Sequence, residues 1–297
     1  MALTRNQFDI LEILATTNEQ LSQRELGEKT DFALGKVNKV VKELETLEYV
    51  KEGTITDKGF AALEPYRAKR AIFIAAGFGS RLVPVTLNTP KPLVRVNGTR
   101  IIDTLIDAVL GAGIEEIYIV RGYLGEQFDQ LLYKYPMIKF LENPLYNEAN
   151  NISSAVIARY LMQNAYILES DLVISNPSII KKYHYQSDVL GIYKERTDDW
   201  CLTVDKDRCV TEEKVGGLDC YQMVGIYYMN EEDGKKLSVH LKEAYDAPGG
   251  KERYWETVPN TAYKGQYKIE VRPCQDEDIV EIDTFRELKA IDKTYDV

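Results

Sequence analysis

The chain has 297 residues, with 37 Lys and Arg against 47 Asp and Glu and a formal net charge of −10. That deficit of cations argues against a broad nucleic-acid binder. The 44% hydrophobic and 28% charged content is an ordinary globular balance with no sign of disorder, and the length suggests two domains. No apolar run approaches the roughly eighteen residues of a membrane span. Acidic residues break the apolar positions of "MALTRNQFDILEILATTNEQ", where a signal peptide would be continuous, so a cytoplasmic location is expected. Cys201, Cys209, Cys220 and Cys274 show no CxxC spacing, and His184 and His240 stand far apart. Reduced, core-lying thiols are expected, with no disulfide framework, zinc site or His-based triad.

Residues 1–66 read as a small helical unit. Phe8, Ile10, Leu11, Ile13 and Leu14 recur at helical spacing, and Ser22 with Glu25 forms a capping-box pattern. Leu34, Val37, Val40, Val41, Leu44 and Leu47 then mark one face of a longer helix. "YVKEGTITDKG" predicts a hairpin and "DKGFAALEPY" a closing helix. This order resembles a MarR-like winged helix-turn-helix domain, which implies DNA binding. The unit nevertheless carries eight cationic and twelve anionic side chains, and Glu43, Glu45 and Glu48 follow Lys36, Lys39 and Lys42. A DNA-binding face is normally basic. DNA binding is therefore possible but not favoured, and a structural, regulatory or homodimerising role is expected.

After the polar connection "EPYRAKR", residues 67–297 alternate strands with helices. Strands are expected at Ala71–Ala76, "EEIYIVRG", "MIKFLEN" and "AYILESDLVIS", with helices at "TRIIDTLIDAVLGAG", "LGEQFDQLLYKY" and "NISSAVIARYLM". Repeated βα units predict an α/β fold with a mostly parallel, mixed sheet, and ligands at the strands' carboxyl ends. From Ser187 the pattern is richer in strands, and "DTFRELKAID" predicts a terminal helix.

The first strand of this part runs into Gly77, Gly79 and Arg81, followed by Pro84, Pro90, Lys91 and Pro92. Glycines let backbone N–H groups approach an anion, and Arg adds a fork of donors. The P-loop pattern GxxxxGK[ST] is absent. "AAGFGSRLVPVTLNTPKPL" resembles the signature AGxGxRLxPLTxxxPKPL of the sugar-nucleotide-type nucleotidyltransferases, with Val85 where Leu is usual. The resemblance implies a Rossmann-like fold. It places a nucleoside triphosphate against Ala76, Gly77, Gly79, Ser80 and Arg81, with Lys91 positioning the reacting phosphates.

Further segments resemble the LicC-type CTP:phosphocholine cytidylyltransferases: "VRGYLGEQFDQL", "ENPLYNEANNISSA", "YILESDLVIS", "RYWETV" and "IVEIDTFREL", in that order over residues 70–292. The implied reaction is attack of a phosphate oxygen on the α-phosphorus of CTP, giving CDP-choline, for phosphocholine decoration of bacterial surface polymers. Such chemistry rests on positioning and on cations that gather phosphates, and Mg²⁺ suits it. Arg81, Lys91 and Asp171 are the expected catalytic residues. Asp171 and Asp283 are the expected metal ligands, with Glu169 and Glu281 behind them; Asp283 is also placed to cap the last helix. Gly122, Tyr123 and Asn151 are expected near the nucleotide. A quaternary ammonium calls for aromatic faces and a carboxylate, so Tyr193, Trp200, Tyr254, Trp255 and Glu256 are the expected cage, with Asn150 beside it. A primary ammonium, as in 2-aminoethylphosphonate or phosphoethanolamine, would want more carboxylates and fewer aromatic faces. A sugar 1-phosphate acceptor and a DNA-binding regulator with a nucleotide-sensing domain are the other readings.

Overall fold

The computed structural model describes residues 2–17 and 20–296. The chain forms two compact units, Met1–Arg67 and Ala68–Val297. In the first, helices α1 (Arg5–Thr16), α2 (Gln23–Thr30) and α3 (Leu34–Thr46) precede a hairpin of β1 (Val50–Lys51) and β2 (Thr54–Ile55), and α4 (Asp57–Leu63) follows. Capping boxes at Thr4–Gln7 and Ser22–Glu25 start α1 and α2 by satisfying N–H groups that the helix itself cannot. Phe8, Ile10, Leu11 and Leu14 are buried with Val37, Val40, Val41 and Leu44, as their helical spacing requires. Lys36, Lys39 and Lys42 remain exposed on α3. A cavity of about 410 Å³ lies between α2 and the start of α3, beside Gln23, Arg24, Glu28 and Asp31.

The second unit runs β3 (Arg70–Ala75), β4 (Arg95–Val96), β5 (Thr99–Arg100), α5 (Ile101–Gly111), β6 (Glu116–Arg121), β7 (Lys139–Glu142), α6 (Ile152–Ala158), β8 (Ala165–Glu169) and β9 (Leu172–Ile174). It continues with β10 (Asp188–Val204), β11 (Val210–Met229), α7 (Glu231–Asp246), β12 (Glu270–Cys274), β13 (Ile279–Glu281) and α8 (Phe285–Ile291). Seven strands form one sheet in the order β12-β10-β11-β8-β3-β6-β7, and β11 alone runs antiparallel to its neighbours. The central strands are apolar because both faces are covered. Phe73, Ile119 and Leu168 face one core with α5, and Ile72, Val120 and Ile167 face the other with α6 and α7. Ile74 pairs with Glu169 and Ala75 with Arg121, so β3, β6 and β8 end along one edge.

Two local readings differ from expectation. "LGEQFDQLLYKY" forms a 3-10 segment, Gly125–Tyr133, in place of an α-helix. Its buried residues Gly125, Phe128 and Leu131 recur every third position, the period at which 3-10 side chains line up. "AYILESDLVIS" is two strands. β8 ends at Glu169 in the large sheet, whereas β9 pairs antiparallel with β13. The break at Ser170 and Asp171 lifts an acid out of the sheet. All four cysteines are buried and free. Among the described residues, no helix is long and apolar enough to cross a membrane.

Candidate active site

The glycine loop leaves β3 at its carboxyl end. A Cβ at Gly77 would meet nothing within 4 Å, which leaves its backbone open to a ligand. Gly79 is required twice. Its φ of +61° lies in the left-handed region, and a Cβ there would stand 2.8 Å from Cβ of Lys91. Thr86 Oγ1 donates to the Gly79 carbonyl at 2.8 Å, and Leu82 anchors the next turn in a small core with Ile282 and Leu288. Ser80 and Arg81 therefore stay at the surface of a cavity, about 320 Å³, that also holds Gly77, Gly79, Lys91 and Asp171.

Lys91 is buried, and its ammonium lies 2.7 Å from Asp171 Oδ2 and 3.1 Å from Asp283 Oδ1. Burial alone would lower its pKa, but the two carboxylates outweigh burial and hold it raised. Arg81 engages both oxygens of Asp283, at 2.9 and 2.6 Å. Asp283 thus sits between two cations and does not cap α8. Thr284 is that cap, in a box with Glu287.

The β9–β13 pair brings two distant stretches together. Ile282 N donates to the Asp171 carbonyl at 3.1 Å, and Glu281 pairs with Leu172. Carboxylate oxygens of Glu169, Asp171 and Glu281 consequently lie within 4.8 Å of one another. Burial, then Glu256 and Asp171, raise the Glu169 pKa well above the carboxylate range. Burial, then Asp171 and Asp283, push Glu281 up to about 9. Asp171 Oδ1 is buried and has no hydrogen-bond partner. An orphaned oxygen among crowded carboxylates fits a hard divalent cation, which takes oxygen ligands and relieves the repulsion. Glu169 and Glu281, expected behind the ligands, stand with Asp171 in this cluster.

A second cavity, about 400 Å³, shares Arg81, Glu169, Tyr254, Glu281 and Asp283 with the first. Its remaining walls include Trp200, Asp199, Glu213, Glu256 and Thr257. Trp200 and Tyr254 meet edge to face, 5.9 Å between centroids. Glu256 is buried, and its pKa is raised chiefly by burial. Burial also pushes Glu213 up to about 7, although Thr261 Oγ1 donates to it at 3.1 Å.

Two expected cage residues are corrected. Trp255 is fully buried in the core, edge-on to Tyr227 with centroids 4.9 Å apart, and offers no face to a ligand. Tyr193 is half-exposed, donates to Asp219 at 3.0 Å, and is absent from the cavity wall. Asn151 makes no side-chain cap. Its amide donates to Glu169 and to both oxygens of Glu256, each at 3.3 Å, and so bridges the two cavities' acids. Asn150 Nδ2 donates to the Glu252 carbonyl at 3.3 Å and lines the glycine-loop cavity. Tyr123 braces that loop: its N–H donates to the Ala76 carbonyl and its hydroxyl to those of Thr86 and Leu87. Gly122 lies under Tyr146, whose ring would touch a Cβ at 2.7 Å. Phe78 packs between Tyr123 and Tyr146, yet stays exposed.

Nothing in the sequence singled out Glu213 or Gly225, and Asp199 counted only as an acid beside Trp200. Gly225 has φ +75°, and a Cβ there would lie 2.9 Å from Glu169 Cγ, so this glycine makes room for the Glu169 side chain. A glycine inside the apolar strand "MVGIYY" was the available signal, because strand glycines mark bulges and close approaches.

Comparison with known proteins matches these features. The nucleotidyl transferase family model aligns with residues 70–200, and the MarR family model with residues 3–58. A 2-aminoethylphosphonate cytidylyltransferase of Lancefieldella rimae is 38% identical over 76% of this chain and 92% of its own length. A choline-phosphate cytidylyltransferase of Streptococcus pneumoniae is 28% identical over 75% of this chain and 97% of its own. The solved structure of the CTP:phosphocholine cytidylyltransferase from Streptococcus pneumoniae superposes with a TM-score of 0.70 at 27% identity, over 77% of this chain and 99% of that one. The inositol-1-phosphate CTP transferase from T. maritima, 18% identical, shares the fold at a TM-score of 0.62. Identity of 38% over 92% of the Lancefieldella enzyme, on a fold that sets a glycine loop beside a carboxylate cluster at one sheet edge, makes the chain a member of the nucleotidyl transferase family, a cytidylyltransferase by kinship, with a MarR-type unit before it.

Proposed function

We propose that the chain transfers CMP from CTP to a small acceptor bearing a phosphate or phosphonate at one end and a primary ammonium at the other, such as 2-aminoethylphosphonate. An acceptor oxygen forms a bond to the α-phosphorus, the bond from that phosphorus to the bridging oxygen breaks, and pyrophosphate leaves. The nucleophile is already an anion, so positioning and charge compensation carry the barrier. Gly77 and Gly79 offer backbone N–H groups to the triphosphate, while Arg81 and Lys91 supply positive charge beside it. Glu169, Asp171 and Glu281 would hold Mg²⁺, with Asp283 adjacent. That ion, when bound, would neutralise charge on the phosphates.

The carrying observation is the second cavity's wall. Beyond the acids it shares with the first cavity, Glu169, Glu281 and Asp283, it presents Asp199, Glu213 and Glu256, and its large aromatic faces are Trp200 and Tyr254. An ammonium with N–H donors satisfies carboxylate oxygens, and a trimethylammonium has none to give. The 38% identity to an aminoethylphosphonate enzyme supports the same choice. Phosphocholine is the second reading, favoured by the Trp200–Tyr254 pair. Pyrophosphate release with Mg²⁺ across four nucleoside triphosphates, against 2-aminoethylphosphonate, phosphoethanolamine, phosphocholine and glucose 1-phosphate, tests the proposal. Release is expected with CTP and the two primary amines. Release with glucose 1-phosphate, or with no pair, would refute it.

A further inference from the structure

Lys91 is held in an unusual place for a residue meant to touch phosphates. Its stem is fixed by Gly79, whose missing side chain makes room for it. Its ammonium reaches two carboxylates from distant stretches of the chain, Asp171 at 2.7 Å and Asp283 at 3.1 Å. Asp171 belongs to the oxygen cluster that fits a divalent cation. One carboxylate thus serves two positive groups, and a metal ion at Asp171 and an ammonium 2.7 Å from the same carboxylate repel each other. Lys91 also lines the glycine-loop cavity with Gly77, Gly79 and Ser80, where anionic phosphates would offer it other partners.

We propose that Lys91 is an internal competitor for the metal site: its ammonium neutralises Asp171 and Asp283 until a divalent cation takes the carboxylates and the nucleotide's phosphates take the ammonium. Metal and nucleotide then bind cooperatively, each strengthening the other by the same factor. A free cation must displace the lysine with nothing to receive it. A cation arriving with a triphosphate brings the replacement anion along. The competitor sets that order without any change of fold. The inference rests on the nucleotidyl-transfer reading of this site and is independent of the acceptor.

The test is binding of Mn²⁺ alone to nucleotide-free protein, followed by calorimetry and by the electron paramagnetic resonance of the free ion. Lys91→Met keeps an unbranched apolar stem and removes the charge. It is expected to bind Mn²⁺ at least about tenfold more tightly than the wild type, equivalent to ~1.4 kcal/mol. Lys91→Arg keeps a cation and is expected to stay near wild type. Equal or weaker binding by Lys91→Met would overturn the proposal and leave Lys91 a strut between two acids. Absence of Mn²⁺ binding in both proteins would overturn the metal reading beneath it. A variant-free measurement guards against misfolding: brief acetylation of the wild-type chain, with the Lys91 peptide quantified by mass spectrometry. Added Mg²⁺ is expected to raise Lys91 acetylation several-fold as the amine leaves its carboxylates. No rise, or protection, would overturn the proposal equally.

Discussion

Glu213 illustrates how burial sets a residue's chemistry. Its carboxyl stands at about 7 against an ordinary 4.5 because burial disfavours the anion. The sign follows. A raised folded-state pKa means that the folded chain holds the proton more tightly, so this group's contribution to stability is full below the ordinary value and is lost as pH rises through about 7. Above that pH the carboxylate is charged, with its cost unrelieved until a cation arrives. Glu213→Gln is therefore expected to melt higher than the wild type at alkaline pH, with the difference vanishing in acid. The KM for an aminoalkyl acceptor should fall from pH 6 to pH 8 more steeply in the wild type than in Glu213→Gln. The acceptor's own phosphonate titration is common to both proteins and cancels in the comparison. Parallel pH profiles would remove Glu213 from ammonium binding.

At the scale of elements, the second cavity is lined by the long strands β10 and β11, by the stretch from Tyr254 to Thr257, and by Arg81, Glu169, Glu281 and Asp283. The two tryptophans separate here. Trp200→Ala is expected to raise the KM for the acceptor with little change in melting temperature. Trp255→Ala should cost about 3–5 kcal/mol of stability, as for other buried large-to-small changes. Thermal melts and kinetics on both variants check this, and a stable Trp255→Ala with an acceptor-specific KM defect would restore Trp255 to the cavity. In sequence the two look alike, each beside an acid; only the packing of β11 against the Trp255 segment tells them apart. The glycine loop was legible because backbone approach to phosphate demands glycine at fixed positions, and Gly79 with Lys91 meets that demand in space. Glu169 and Glu281 were legible as neighbours of the expected ligands. Glu169 stands two residues from Asp171, whereas the meeting of Glu281 with both depends on the β9–β13 pair between distant stretches, which no local pattern encodes. The facing of Glu213 and Asp199 into one cavity was hidden for a similar reason. They lie in irregular, bulged stretches of β10 and β11, where alternation no longer reports which side chain faces the cavity.

On the scale of the whole molecule, every residue of the two adjoining cavities belongs to the second unit. The Lancefieldella relative is covered over 92% of its length by 76% of this chain, so little of it remains to match a MarR-type unit. Residues 68–297 alone are therefore expected to keep the KM for CTP and for the acceptor within about twofold of the full chain, since no side chain of the site is removed. A larger loss in a folded fragment would show that the first unit shapes the site. The first unit's architecture was readable from helical periodicity and capping boxes, whereas its role was not, because the same fold serves many functions.

A competition measures cytidylyl transfer to a primary ammonium acceptor most directly. Equal concentrations of 2-aminoethylphosphonate and phosphocholine are incubated with CTP, Mg²⁺ and the full chain, and the two CMP conjugates are quantified by mass spectrometry at low conversion. Their ratio is the ratio of kcat/KM values. The aminoethylphosphonate conjugate is expected to exceed CDP-choline by more than about tenfold, because a site built around carboxylate acceptors rejects a cation with no N–H to donate. An excess of CDP-choline would rule out preference for a primary ammonium and make the second cavity an aromatic cage.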